Sequence, residues 1–345
     1  MKKALAIILA LALFSMVIVS CATPNVADSG TPAPEKSITL SGKDPLKDAI
    51  KIAWIPMSTA GQVNTIVYQA EDEITMAYPD VTIQNFDAQF NPQTQITLVN
   101  ECVAQGFDAI LMECADSTAV GPSIAAAEAA GVAVITVNLN CDVVHSLYVK
   151  MDSYSGGWVS AEALAKMMGG KGNYLVLDVP AFQAASTTFG KGFMEYCDAN
   201  TDMALLEYVN LAGNAQEDAY NVMRDMLTKY DNIDAVYAPD DNYGLGIVQA
   251  INEAGRQGDN ILVWGTDLQP GGIEAVQSGV LAGSCWSDRF SSLYAAFTYA
   301  IALAQSGATA GVLGLAATPS IYVRFIAVTK ANVDEVVPFT RWPGY

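Results

Sequence analysis

Residues 90–138 read FNPQTQITLVNECVAQGFDAILMECADSTAVGPSIAAAEAAGVAVITVN, and the order of signals within them decides the fold class. Asn91 is a helix N-cap, with Pro92 at the first helical position. Ile96, Val99 and Val103 recur at helical spacing and mark a buried face, and Gly106 supplies the stop. Asp108–Cys114 is an apolar run of strand length. Pro122–Ala130 is an alanine-rich helix ended by Gly131, and Ala133–Asn138 is again a strand. Helix and strand alternate here with a period of roughly 25–30 residues, the rhythm of βα units in a parallel sheet.

The same rhythm runs outward in both directions. Upstream, Ile50–Met57 is a strand, Thr65–Ala77 a helix and Val81–Asp87 a strand. Downstream come strand Leu147–Met151, helix Gly157–Met168, strand Tyr174–Val179, helix Thr187–Ala199 and strand Leu205–Val209. Ala219, Val222, Met223, Met226, Leu227 and Tyr230 form the apolar stripe of a further helix. Strand Ala235–Pro239, helix Tyr243–Ala254, strand Ile261–Thr266, short helix Ile273–Gln277, strand Gly283–Ser287, helix Ser291–Gln305 and strand Ile321–Val328 complete the pattern. Roughly ten strands and nine helices exceed one doubly wound sheet, and two α/β lobes account for them.

The N-terminus points outside the cytoplasm. Lys2 and Lys3 precede an uncharged apolar run, Ala4–Val19, which meets Ile18-Val19-Ser20-Cys21. That is the layout of a secretory leader over residues 1–20. The tetrapeptide resembles a bacterial lipobox, which implies lipidation of Cys21. Residues 21–46 are rich in Pro, Thr, Ser and Gly without apolar periodicity, as in a flexible tether. Without Lys2 and Lys3 the chain carries 15 basic against 36 acidic residues, a net charge of −21. Such a surface repels nucleic acid. Five cysteines remain after Cys21, with no spacing that suggests zinc. Cys114 and Cys141 follow strands expected to be neighbours and are the pair placed to bridge; free buried thiols are the expectation.

Three stretches carry a family resemblance: Phe90–Asn138, Ile233–Gly255 (IDAVYAPDDNYGLGIVQAINEAG) and Ile261–Ser284 (ILVWGTDLQPGGIEAVQSGVLAGS). In order and spacing they resemble the ribose-binding-protein branch of type I periplasmic solute-binding proteins, from about Ile50 to Val328. The resemblance implies two doubly wound parallel-sheet lobes joined by three chain crossings, near Lys150–Asp152, Ser287 and Thr318–Ser320. It places an N-lobe at 47–150 plus 288–318, a C-lobe at 151–287 plus 319–338 and a tail at 339–345. The ligand would lie in the cleft between the lobes.

Ligands of open α/β sheets bind beyond the carboxyl ends of the strands. Asp267 ends an apolar strand where the family has an aspartate that holds sugar hydroxyls; its alternative role is to cap the following helix. Asp240 ends another strand, with the same two roles open. Asn138 stands where ribose binders have an aspartate, Leu139 where they have an arginine, and Thr187 near a second family arginine. Asn140, Gln62, Asn64, Asn214 and Ser287 are further polar candidates, and Phe182 and Tyr243 are aromatic ones. Trp54 and Trp264, inside strands, are expected in the core. His145, the only histidine, is expected in a solvated loop, and Arg289 and Lys191 on solvated helix surfaces. A cleft without a cation favours a neutral or amine-bearing polar ligand.

The expected function is capture of a monosaccharide or related polyol by a monomeric, lipid-anchored extracytoplasmic protein that delivers it to an ABC permease. No catalytic residue, cofactor or metal is expected. Two other functions fit the same sequence: a ligand-sensing module for a chemoreceptor or histidine kinase, and a carbohydrate-active envelope enzyme, for which Asp240 and Asp267 are the one available carboxylate pair.

Overall fold

Ala109–Met112 and Ala133–Val137 are buried at every position, so they must be strands covered on both faces, and they pair in parallel. The computed structural model that shows this describes Lys43 and residues 48–60, 63–179, 186–211 and 215–342. Cys21, the leader, most of the tether, Gln62, Phe182, Asn214 and the side chain of Thr187 lie outside the described residues.

One six-stranded sheet contains β1 (Ile50–Ile55), β2 (Val81–Asn85), β3 (Ala109–Met112), β4 (Ala133–Val137), β5 (Leu147–Met151) and β11 (Ser320–Val323). Its order is β11-β5-β4-β3-β1-β2, parallel throughout. The second contains β6 (Lys171–Asp178), β7 (Asp202–Asn210), β8 (Ala235–Tyr237), β9 (Leu262–Trp264), β10 (Gly283–Ser287) and β12 (Phe325–Thr329). Its order is β12-β10-β9-β8-β6-β7, parallel except for the antiparallel β10–β12 pair. The two halves therefore repeat one winding scheme. Strand order reverses between β1 and β3 and again between β6 and β8, and such switch points open a crevice at the carboxyl ends.

The helices are α1 (Val63–Ala77), α2 (Pro92–Ala104), α3 (Gly121–Ala129), α4 (Ser153–Met168), α5 (Ser186–Asn200), α6 (Ala215–Lys229), α7 (Asp241–Glu253), α8 (Gly272–Ser278), α9 (Arg289–Ser306), α10 (Ala310–Leu313) and α11 (Val333–Thr340). Asn91 caps α2 as its sequence requires, its side chain accepting from the amides of Gln93 and Thr94. Trp54 and Trp264 are 2% and 0% exposed, in the core. Among the described residues no helix is long and apolar enough to cross a membrane.

Two expectations differ from the structure. The run Ile321–Val328 is two strands: β11 pairs with β5 of the first sheet, and β12 with β10 of the second. The third crossing therefore falls at Arg324, between them, and not at Thr318–Ser320. The local mark of the division is Arg324, the one charge in the run, while the change of pairing partner has no local signal. Residues 339–342 of the expected tail are also packed. α11 runs to Thr340, Trp342 is buried, and its Nε1 donates to the Leu268 carbonyl at 3.0 Å. Arg341 pairs with Glu73 of α1 at 3.4 Å.

Candidate functional site: a polar cluster at the strand ends

The carboxyl ends of β3, β4, β8, β9 and β10 carry the polar side chains. Asn138 follows β4 with φ 60°, and Asp267 follows β9 with φ 83°. Asn and Asp are the residue types that tolerate this left-handed conformation best, and non-glycine residues held there cluster at functional sites. Each is fixed by its neighbours. The Asn138 amide donates to the Val149 carbonyl, and its own carbonyl accepts from the Tyr148 hydroxyl at 2.8 Å. The Asp267 amide donates to the Cys285 carbonyl.

Asp267 does not cap α8; Gly271 occupies that cap. Its carboxylate instead lies 3.6 Å from the guanidinium of Arg289, both groups partly buried. Arg289 opens α9, where the helix dipole disfavours a cation, so its position depends on the surrounding carboxylates. Glu113, just past β3, is the second of these. Burial raises its pKa, while the charge of Arg289, the Met57 amide and the Asn138 side chain pull it down in part. Asp267, Arg289, Glu113 and Asn138 thus form one connected polar group drawn from both sheets.

Asp240 caps α7, accepting from the amides of Asn242 and Tyr243 at 2.6 and 3.3 Å. Its other oxygen accepts from Gln269 Nε2. Burial, with the nearby charge of Asp267, pushes its pKa up to about 6. Asp241 is fully buried, and burial pushes its carboxyl well above the usual range. It accepts from Ser284 Oγ and the Gln269 amide, each at 2.7 Å. A Cβ on Gly272 would fall 2.4 Å from this carboxylate, so the glycine makes its space. Asp241 is a bracing residue: it ties α7 to the loop that presents Asp267.

The other candidates separate by burial. Asn140 is partly exposed and accepts from Thr136 Oγ1 at 2.8 Å. Asn64, 3% exposed, donates to the Ser58 carbonyl, and Tyr243, also 3% exposed, packs in the core rather than facing open space. Ser287 lies beside a space of about 230 Å³, solvent included, bounded also by Ile66, Asp267, Trp286, Arg289 and Trp342. Lys191 lies on a helix surface beside Glu195. Arg289 does not: the expectation of a cleft without a cation is corrected by its pairing with Asp267.

The family is decided by residues 52–309, which match the model of the periplasmic binding protein domain. This chain belongs to that family. The family places this periplasmic binding protein outside the cytoplasm. It is 30% identical over 246 residues to the xylitol-binding protein of Mycolicibacterium smegmatis, covering 71% of this chain and 67% of that one. It is 29% identical to the ribose import binding protein of Salmonella typhimurium, covering 57% and 66%. The chain thus spans about two thirds of the length of these curated relatives. A solute-binding protein from Actinobacillus succinogenes with bound D-allose shares the fold at TM-score 0.70 and 24% identity, covering 83% of this chain and 99% of that one.

Two participants in the periplasmic binding protein's polar cluster, Glu113 and Arg289, were not singled out as candidates by the sequence. Glu113 was absorbed into the expected strand Asp108–Cys114, which in fact ends at Met112. A carboxylate ending a fully apolar run is a signal of the same kind as Asp267. For Arg289 the signal is a cation at a helix N-terminus, against the dipole.

Proposed function

We propose that this protein captures a neutral monosaccharide or polyol between its two sheets and delivers it to an ABC import permease, by binding without turnover. The observation that carries this reading is the cluster of Asp267, Arg289, Glu113 and Asn138 at the strand ends, drawn from both sheets. Carboxylates accept from vicinal hydroxyls, asparagine amides donate to and accept from them, and Arg289 donates to a ring or hydroxyl oxygen. The cluster already holds a cation among several acidic groups, so an anionic ligand has no free countercharge, whereas neutral hydroxyls need none. Relatives named for xylitol and ribose support the same class. Asp240, Asn140 and Ser287 are assigned to the wall of the site. Gln62, Thr187, Asn214 and Phe182 remain candidates by sequence position.

The leader 1–20, removed before a lipidated Cys21, and the tether that follows would hold a monomer at the membrane surface. Cys21→Ser should move the protein from the membrane to the soluble fraction, since the acyl chains are lost; a mutant that still pellets after high-salt washing contradicts the anchor. The function itself is tested by a thermal-shift screen of sugars, polyols, nucleosides and amines. A ligand specific to the folded state adds about 2.7 kcal/mol at one hundred times its Kd. The expected hit is a neutral sugar or polyol, and a screen answered only by amines or nucleosides argues against the reading.

A further inference from the structure

Beside the polar cluster lies a group the proposed function leaves unused. Cys114 lies just past β3 and Cys141 just past β4, its parallel neighbour in the sheet, so the two cysteines stand at adjoining strand ends. The chain brings them together by a tight return after β4: the Leu139 amide donates to the Val137 carbonyl at 2.6 Å, and the Leu139 carbonyl accepts from the Cys114 amide at 3.2 Å. His145 stands against the pair, its Nδ1 3.4 Å from the Cys141 sulfur and 2.9 Å from the Val143 carbonyl. Its Nε2 lies 2.7 Å from Thr136 Oγ1, which donates to Asn140. The histidine is 0% exposed, contrary to the solvated loop expected of it.

We infer that Cys114 and Cys141 are a redox-active dithiol that closes to a disulfide, with His145 holding the sulfur of Cys141 for attack. Two observations beyond proximity support this. The first is access. Cys114 and Cys141 are 5% and 4% exposed, while Cys102, Cys197 and Cys285 are each 0% exposed. The second is thiolate character, which sets reactivity. The Cys141 thiol is pulled down, first by the neighbouring Cys114 thiol and then by His145, against the effect of burial, while the Cys114 thiol is pushed up. Burial lowers the His145 pKa, but the Cys141 thiol and the Val143 carbonyl outweigh it, so the net direction is up.

The chemistry balances with an external disulfide, of a small molecule or an oxidoreductase, as the oxidant. The Cys141 thiolate attacks one of its sulfurs and expels the first donor thiolate. The Cys114 sulfur, giving up its proton, attacks Cys141 in the mixed disulfide and expels the second. Two protein thiols lose two electrons, one donor disulfide becomes two thiols, and the protons pass to them. The bridge staples the loop of Asn138 and Asn140 to the end of β3.

The test treats the full chain, purified from bacterial envelopes, with oxidised glutathione and maps its peptides without reduction. The expected product has lost two hydrogens and links the Cys114 and Cys141 peptides, with Cys102, Cys197 and Cys285 still alkylatable after unfolding. Cys114→Ser should retain a glutathione adduct on Cys141, which then lacks its resolving partner. No bridge, or a bridge or adduct at another cysteine, overturns the inference. A second arm rests on the proposed sugar site. A stapled loop is pre-organised, so the oxidised form should bind sugar at least about threefold tighter, reversibly with dithiothreitol. Equal affinity in the two forms overturns the coupling, whereas sugar binding by neither form counts against the proposed function and not the dithiol.

Discussion

Asp240 shows how a helix cap can hold a buried charge. It caps α7, and burial holds its pKa at about 6, above the ordinary 3.8. The folded state therefore binds the proton more tightly than the unfolded chain. That favourable term is fully present below about pH 4 and is lost as pH rises through about 6. Asp240→Asn keeps an oxygen for the cap and removes the buried charge. It should be more stable than the parent by about 1–2 kcal/mol at pH 8, with the gap closing toward pH 4. Thermal melts of both proteins across that range check this; a gap independent of pH would show that the carboxylate charge is not the cause. The cap was legible in the sequence as one of two open readings, since a strand-end aspartate before a helix reads as ligand contact or as cap. The partnership of Asp267 with Arg289 was not, because the sequence separation of two groups says nothing of a contact made across two sheets.

At the scale of elements, the strands and helices were legible because each carries its own period and punctuation. Asn91 and Pro92 start α2, and Gly169 and Gly307 end α4 and α9 in the left-handed conformation. What failed were the ends of apolar runs and the assignment of a strand to a sheet. Ile321–Val328 is an apolar stretch interrupted by Arg324, and its two halves pair with different sheets. α10 and α11 are short and went unread, although Asp334 and Glu335 suit the first turn of α11. The packing of α4 on α5 depends on glycine. A Cβ at Gly157 would lie 1.9 Å from the Phe189 carbonyl oxygen, and one at Gly192 would lie 2.2 Å from that of Tyr154. These neighbours are backbone and cannot swing aside. Gly157→Ala should therefore cost about 2–3 kcal/mol despite its gain in helix propensity. The midpoint of urea unfolding reads the loss, and an unchanged midpoint would mean that the helices separate freely.

Over the whole molecule, two copies of one winding scheme are joined at Asp152, between β5 and α4, which packs on the second sheet, at Asp288, between β10 and α9, which packs on the first, and at Arg324, between β11 and β12. The crossings lie beside the strand ends that carry Ser287 and β11, so a rotation about them would change the distance between the walls of the site with little repacking of either sheet. The C-terminal segment adds contacts across the same region, through Trp342 to Leu268 and Arg341 to Glu73. Capture of a neutral hydroxylated ligand by the cluster around Asp267 is the central claim, and calorimetric titration tests it most directly. The parent protein and Asp267→Ala are each titrated with neutral sugars and polyols and with the corresponding sugar acids and phosphates. The expected result is one-to-one binding of a neutral member by the parent, weakened in Asp267→Ala by roughly 2–4 kcal/mol as charge-assisted bonds are lost. Binding of a sugar acid or phosphate with the neutral parent sugar silent, or an Asp267→Ala variant that binds as tightly as the parent protein, would contradict it.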